Sequence, residues 1–107
     1  MIRRLQAFEQ AGADVLMAPG LPDLTSVSAV CGALSEPFNF MAGIRGKSFS
    51  VAELEAAGVR RISLATSLYR AAMTGLLEAA REVKENGTFG YLDRSLATPD
   101  LNVFMQD

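Results

Sequence analysis

Histidine is absent from all 107 residues of the chain. Without an imidazole, Ser-His-Asp and Cys-His catalysis and histidine metal ligation are excluded within it. A single cysteine, Cys31, excludes an internal disulfide and suits a reducing cytoplasm. No apolar run approaches the roughly 20 residues of a membrane-spanning helix, and the first residues lack a signal-peptide pattern. The expectation is a cytoplasmic protein. Positive charge is not in excess either: the formal net charge is −2, with 21% charged residues of both signs interspersed. That balance offers no footprint for nucleic acid or an anionic membrane. Low-complexity segments and long linkers are missing too.

What is present is a repeated joint. Ala11-Gly12-Ala13-Asp14-Val15-Leu16-Met17-Ala18-Pro19-Gly20 reads as a helix end, a glycine, a short apolar strand and a sharp loop. Gly12 suits the left-handed position that closes a helix, having no Cβ to clash there. The joint recurs at Glu55-Ala56-Ala57-Gly58-Val59-Arg60-Arg61-Ile62-Ser63-Leu64-Ala65. Helix, glycine, buried strand, loop, helix is the grammar of a parallel α/β sheet.

The leading segment, Ile2 to Ala11, predicts a helix with Leu5 and Phe8 on one face. It starts almost at Met1 without a capping residue, as a chain that begins inside a βα unit would. Val15–Ala18 predicts the first strand. Leu24, Val27, Cys31 and Leu34 predict a one-sided helix, with Pro22 in its first turn. Phe38–Ala42 predicts the second strand, and Ser50-Val51-Ala52-Glu53 matches a capping box. Val59–Leu64 predicts the third strand, with Thr66-Ser67 as an N-cap pair. Leu68 to Glu85 predicts the longest helix, its stripe being Leu68, Ala72, Leu76, Ala79 and Val83. The expected organisation is one segment over 1–107, with βα units in 1–87 and a tail in 88–107. That tail holds a short helix opened by Thr98-Pro99-Asp100. Three parallel strands have two open edges and need cover on both faces, so the expectation is a piece of something larger or one partner in an oligomer.

Several segments, in order, resemble the isocitrate lyase/phosphoenolpyruvate mutase family. They are Ala11 to Leu16 with Ala18 to Leu24, Pro37-Phe38-Asn39-Phe40, Ser50 to Leu54, Gly58 to Ser63, and Arg70-Ala71-Ala72. The chain is most similar to small bacterial members of the carboxyvinyl-carboxyphosphonate phosphorylmutase and 2-methylisocitrate lyase-like kind. The resemblance implies a partial (β/α)8 (TIM) barrel, the last three parallel βα units plus a C-terminal helical tail. It implies an enzyme class that makes or breaks C–C or C–P bonds of small carboxylic acids, with Mg2+ steadying an enolate-like fragment.

In that family the metal-holding aspartates, the loop bearing the lyases' cysteine and the main substrate arginine lie in the N-terminal half, which has no counterpart here. Cys31 falls in mid-helix and is not given that role. No catalytic or metal-binding residue is therefore assigned, and this chain alone is expected to hold no Mg2+. The implied partners are the N-terminal half of the barrel or another copy of the chain, and a small carboxylate in an intact enzyme. The residues expected to face the substrate pocket are Pro19, Gly20, Asn39, Met41 and Gly43. Two depart from better-known members: Pro19 stands where lyases carry Glu and mutases His, and Met41 where 2-methylisocitrate lyases carry Asn.

Each of these readings has a plainer rival. Asn39, a buried amide, either bonds across the barrel interior or faces substrate, and the structural reading is favoured. Ser63 leans the same way. Asp14 lies at the strand's entry, the stability end of a barrel. Gly43 to Lys47 shares only glycines and basic residues with phosphate-cradling loops. Thr66-Ser67 leads a helix N-terminus but needs no ligand. Three functions remain open: the C-terminal part of a lyase-family enzyme, a non-catalytic interaction or oligomerisation module, and a half-barrel that dimerises and binds phosphate.

Overall fold

A computed structural model describes residues 1–106. The chain divides into two compact units, Met1–Leu68 and Tyr69–Asp107.

The first unit opens with α1 (Ile2–Gln10) and β1 (Leu16–Met17), followed by α2 (Leu24–Gly32) and β2 (Phe38–Met41). It continues through α3 (Val51–Ala56) to β3 (Arg61–Ser63). The strands are parallel and adjacent in the order β1-β2-β3, as the repeated joint requires. Leu16 pairs with Phe38, Met17 and Arg61 flank Asn39, Phe40 pairs with Ile62, and Met41 with Ser63. β1 and β3 are shorter than the predicted Val15–Ala18 and Val59–Leu64, because each finds ladder partners on one side only.

Alternation along the strands sorts the two faces. Leu16, Ala18, Phe38 and Phe40 join Leu5, Leu21, Val27, Val30, Leu54 and Val59 in one buried core beneath the helices. Residues of the other parity, Met17, Asn39, Met41, Arg61 and Ser63, share the opposite face. Leu5 is buried as predicted, but Phe8 is 52% exposed and does not join it.

Local chemistry sets the helix ends. Asp23 caps α2 by accepting from the Ser26 amide at 2.7 Å, which leaves Pro22 outside the helix, not in its first turn. α2 ends at Gly32, two residues before the predicted Leu34. Ser50 and Glu53 form the predicted capping box at α3, with the Ser50 amide donating to Glu53 Oε2 at 2.8 Å. Glu9 of α1 accepts from the amides of Ser35 and Glu36 at 2.8 and 2.6 Å. That carboxylate ties α1 to the turn that launches β2, and so helps fix β2 beside β1.

α4 (Ser67–Asn86) begins in the last residues of the first unit and carries the second, with a 3-10 turn (Gly90–Arg94) and α5 (Thr98–Val103). Of the expected cap pair, Thr66 stands just before the helix and Ser67 is its first residue, with a hydroxyl that donates backwards to the Leu64 carbonyl at 2.6 Å. At α5 the cap position is Ala97, so Thr98 and Pro99 are already helical; Pro99 lacks the N–H that an early turn leaves unbonded anyway. The α4 stripe is not sealed within the chain: Leu68, Leu76 and Val83 are 68%, 60% and 40% exposed. In the turn after α4, Glu82 accepts from the Thr88 hydroxyl at 2.8 Å and from the Gly90 and Tyr91 amides at 2.6 and 3.1 Å.

Candidate functional site

The carboxyl ends of parallel strands are where a barrel or open sheet offers room for chemistry. Here that rim comprises Pro19 and Gly20 after β1, Gly43 after β2, and Leu64 and Ala65 after β3. Backbone geometry draws the three loops together. Gly20 has φ +82°, and an added β-carbon would touch the Ile44 Cδ1 at 4.0 Å. Gly43 has φ +144°, and its β-carbon would stand 3.4 Å from both the Ala65 Cβ and the Leu64 carbonyl oxygen. Both are ordinary contact distances, so it is the positive φ, not crowding, that asks for glycine at these two positions. Ala65 itself adopts φ +49°, a left-handed conformation that costs a residue with a β-carbon roughly 1–2 kcal/mol.

The Gly43–Lys47 loop folds upon itself. Ser48 Oγ accepts from the Gly43 amide at 3.4 Å and donates to the Ile44 carbonyl at 3.2 Å. The Lys47 amide donates to the same carbonyl at 3.1 Å. Two amides that a phosphate cradle would need are thereby engaged within the loop, which accords with an ordinary βα connection.

Deeper on the same face lies a polar trio. Asn39 is 1% exposed, and its Oδ1 accepts from Ser63 Oγ at 3.0 Å and from Arg61 Nη1 at 3.4 Å. Met17 and Arg61 flank it across the ladder, and Arg61 is itself exposed. Of the five residues expected to face a pocket, Asn39 and Met41 stand on this face. Pro19, Gly20 and Gly43 stand on the rim. Arg61 was not among them, and the register puts it beside Asn39. No local signal could have found it, because only the pairing register sets Arg61 beside Asn39.

The rim and face residues named above include no cysteine, histidine or carboxylate, and their one hydroxyl, Ser63, donates to Asn39. Asp14 is exposed at the entry to β1, away from the rim. Burial pushes the Cys31 thiol up from its ordinary range, away from reactivity. Among the described residues no group of three or more His, Cys, Asp or Glu could hold a metal ion. The rim and face residues include no carboxylate, the ligand that Mg2+ asks of a protein, so they do not fit the ion by themselves, and no step through the metal is derived for this chain. A cavity of about 380 Å3, lined by Cys31, Glu36, Pro37, Phe38, Gly58 and Arg60 among others, opens at the opposite, amino-terminal end of the strands. No helix among the described residues is long and apolar enough to cross a membrane.

Comparison with known proteins follows this geometry. A protein from Burkholderia cenocepacia J2315 assigned to the lyase/mutase class is 40% identical, with a TM-score of 0.89 over 97% of this chain and 38% of its own. A second protein from that organism, assigned as a phosphonomutase, is 33% identical over 76% of this chain, with a TM-score of 0.67. 2,3-Dimethylmalate lyase, a PEP mutase/isocitrate lyase superfamily member, is 28% identical over 83% of this chain and 33% of its own, with a TM-score of 0.72. Curated protein sequences give no significant match. The chain thus spans about 38% of the length of the first of these relatives, and its three parallel strands are part of their barrel. The family model for phosphoenolpyruvate phosphomutase matches residues 1–84, and the chain belongs to that family.

Proposed function

We propose that this chain supplies the last three βα units of a lyase- or phosphonomutase-type barrel acting on C–C or C–P bonds of small carboxylic acids, and that it is inactive alone. The carrying observation is the pairing of 40% identity over 97% of the chain with coverage of only 38% of the relative. Pro19, Gly20 and Gly43 line the mouth of the pocket, while Asn39 and Met41 form its wall. Mg2+, which the family resemblance implies, belongs to carboxylates outside this chain.

The test is turnover of small 2-hydroxy diacids and phosphonates by the purified chain, with and without Mg2+, together with isothermal titration of the metal. The expected outcome is no turnover and no tight binding. Turnover by the chain alone, or tight Mg2+ binding to it, would overturn the reading.

A second reading, an oligomerisation module, is favoured by one observation. Leu92, Leu96, Val103, Phe104 and Met105 are all at least 60% exposed. So much apolar surface in one short segment suits burial against a partner.

A further inference from the structure

The face of the sheet away from the helices carries Met17, Asn39, Met41, Ser63 and Arg61. Arg61 is its one charge. Its guanidinium Nη1 leans on a neutral acceptor, Asn39 Oδ1, at 3.4 Å. None of the other four residues is ionisable, so the face brings no counter-charge of its own. Met17 is 49% exposed and Arg61 is exposed, so the outer strands of this face meet water while Asn39 at its centre is buried.

Any surface that covers this face takes the Arg61 guanidinium out of water, and a guanidinium cannot shed its charge by losing a proton. Burial without an opposite charge is strongly unfavourable. A second copy laid face to face offers only two methionines, an amide, a hydroxyl and another arginine. Charge complementarity therefore rules against self-association through this face. It calls for a partner surface that is largely apolar, to match Met17 and Met41, and that places one carboxylate opposite Arg61.

We infer that the open face is a docking surface for the complementary wall of the barrel, and that this wall holds an Asp or Glu that pairs with Arg61, with Asn39 steadying the guanidinium. The inference rests on reading the chain as part of a barrel and adds the charge that selects its partner. Asn39 then acts as a positioning residue: from the pocket wall it holds Arg61 at the register where the carboxylate arrives. Arginine suits the role better than lysine, since its planar fork can meet a carboxylate in two parallel bonds while keeping a third donor for Asn39.

The test co-expresses the full 107-residue chain with the portion of the Burkholderia cenocepacia lyase/mutase that this chain does not match. A stable complex is expected. Arg61→Glu should weaken it roughly hundredfold or more, while Arg61→Lys, which keeps the charge and loses the fork, should weaken it far less, and circular dichroism should show both variants folded. In a Cys31→Ser background, Met17→Cys should react quickly with a maleimide in the isolated chain and slowly in the complex. A complex that tolerates Arg61→Glu would overturn the counter-ion inference and leave the barrel reading standing; no complex between the parent chain and a Burkholderia portion that circular dichroism shows to be folded would overturn both. Inorganic phosphate that shields Met17→Cys in the isolated chain, or a homodimer that shields it, would also overturn the inference, by placing a small anion or a second copy on the face.

Discussion

Gly58 and Cys31 approach each other so closely that a β-carbon on the glycine would stand 3.0 Å from the Cys31 Cβ. The contact joins the end of α3 to the last turn of α2, and it explains why the second joint needs glycine for two reasons at once. Its φ of +97° disfavours any side chain, and there is no room for one.

Gly12 offers the control. Its φ is +96°, almost the same, yet nothing lies within 4 Å of where its β-carbon would be. Gly12→Ala should therefore cost about 1–2 kcal/mol from conformation alone, and Gly58→Ala clearly more, because overlap adds to strain. Cys31→Ala should not rescue Gly58→Ala, since the nearest atom is a β-carbon that alanine keeps. Urea midpoints of the four variants measure this; equal losses for the two glycine replacements would remove the steric component.

Asn39→Leu should destabilise the first unit by about 1–3 kcal/mol, because Ser63 and Arg61 both lose their acceptor. Asn39→Asp keeps that acceptor and faces a guanidinium, so its loss should be smaller. A double-mutant cycle with Ser63→Ala, read by denaturant unfolding, should give a non-zero coupling energy. Full additivity would show that the hydroxyl bond contributes nothing.

Acid should loosen the turn after α4. The Thr88 hydroxyl, then the Gly90 amide, with help from Tyr91 and the charge of Arg94, hold the Glu82 carboxyl below its ordinary range. A carboxylate depressed in the folded state contributes stability above its unfolded pKa and loses it as pH falls through the folded value. The amide resonances of Gly90 and Tyr91 should thus shift together at low pH, and in Glu82→Gln they should not titrate. Asp23, held down by the Ser26 amide, and Glu53, held down by the Ser50 amide, act with the same sign. Per-residue readout is needed to separate the three.

Leu76 is 60% exposed in the single chain, so Leu76→Asp should hardly change the melting of a monomer. In an assembly that covers the stripe, the same change buries an unpaired charge and should remove soluble, folded protein. Light scattering and thermal melts of parent and variant decide between these. Association is the expected result, and a monomeric parent with an equally soluble variant would count against the oligomeric reading.

Much of the fold was legible in the sequence because glycine and apolar runs punctuate it so regularly. Gly12 and Gly58 marked helix ends, Ser50 and Glu53 marked a helix start, and the strand order followed from right-handed βα succession. Caps built on a single hydroxyl were less legible. Thr98 sits one residue inside the helix it was expected to cap, and of the pair Thr66-Ser67 the second is already helical, since a serine or threonine near a helix start can bond backwards as well as forwards. The polar trio was legible only by half. Asn39 stood out as an amide in an apolar strand, but its partners across the sheet depend on register, which no local pattern encodes.

The outer strands of the sheet are only two and three residues long. Brevity limits what each free edge can offer a stray chain: a few backbone donors and acceptors, too short a template for sustained intermolecular stacking. The segment better suited to cross-β assembly, Phe38-Asn39-Phe40-Met41, is the central strand, and neighbours flank it on both sides. Folding thus conceals the most aggregation-prone tetrapeptide and leaves the poorest templates outermost. Heat or denaturant reverses that arrangement, so colloidal loss on melting should begin from the centre of the sheet and not from its borders.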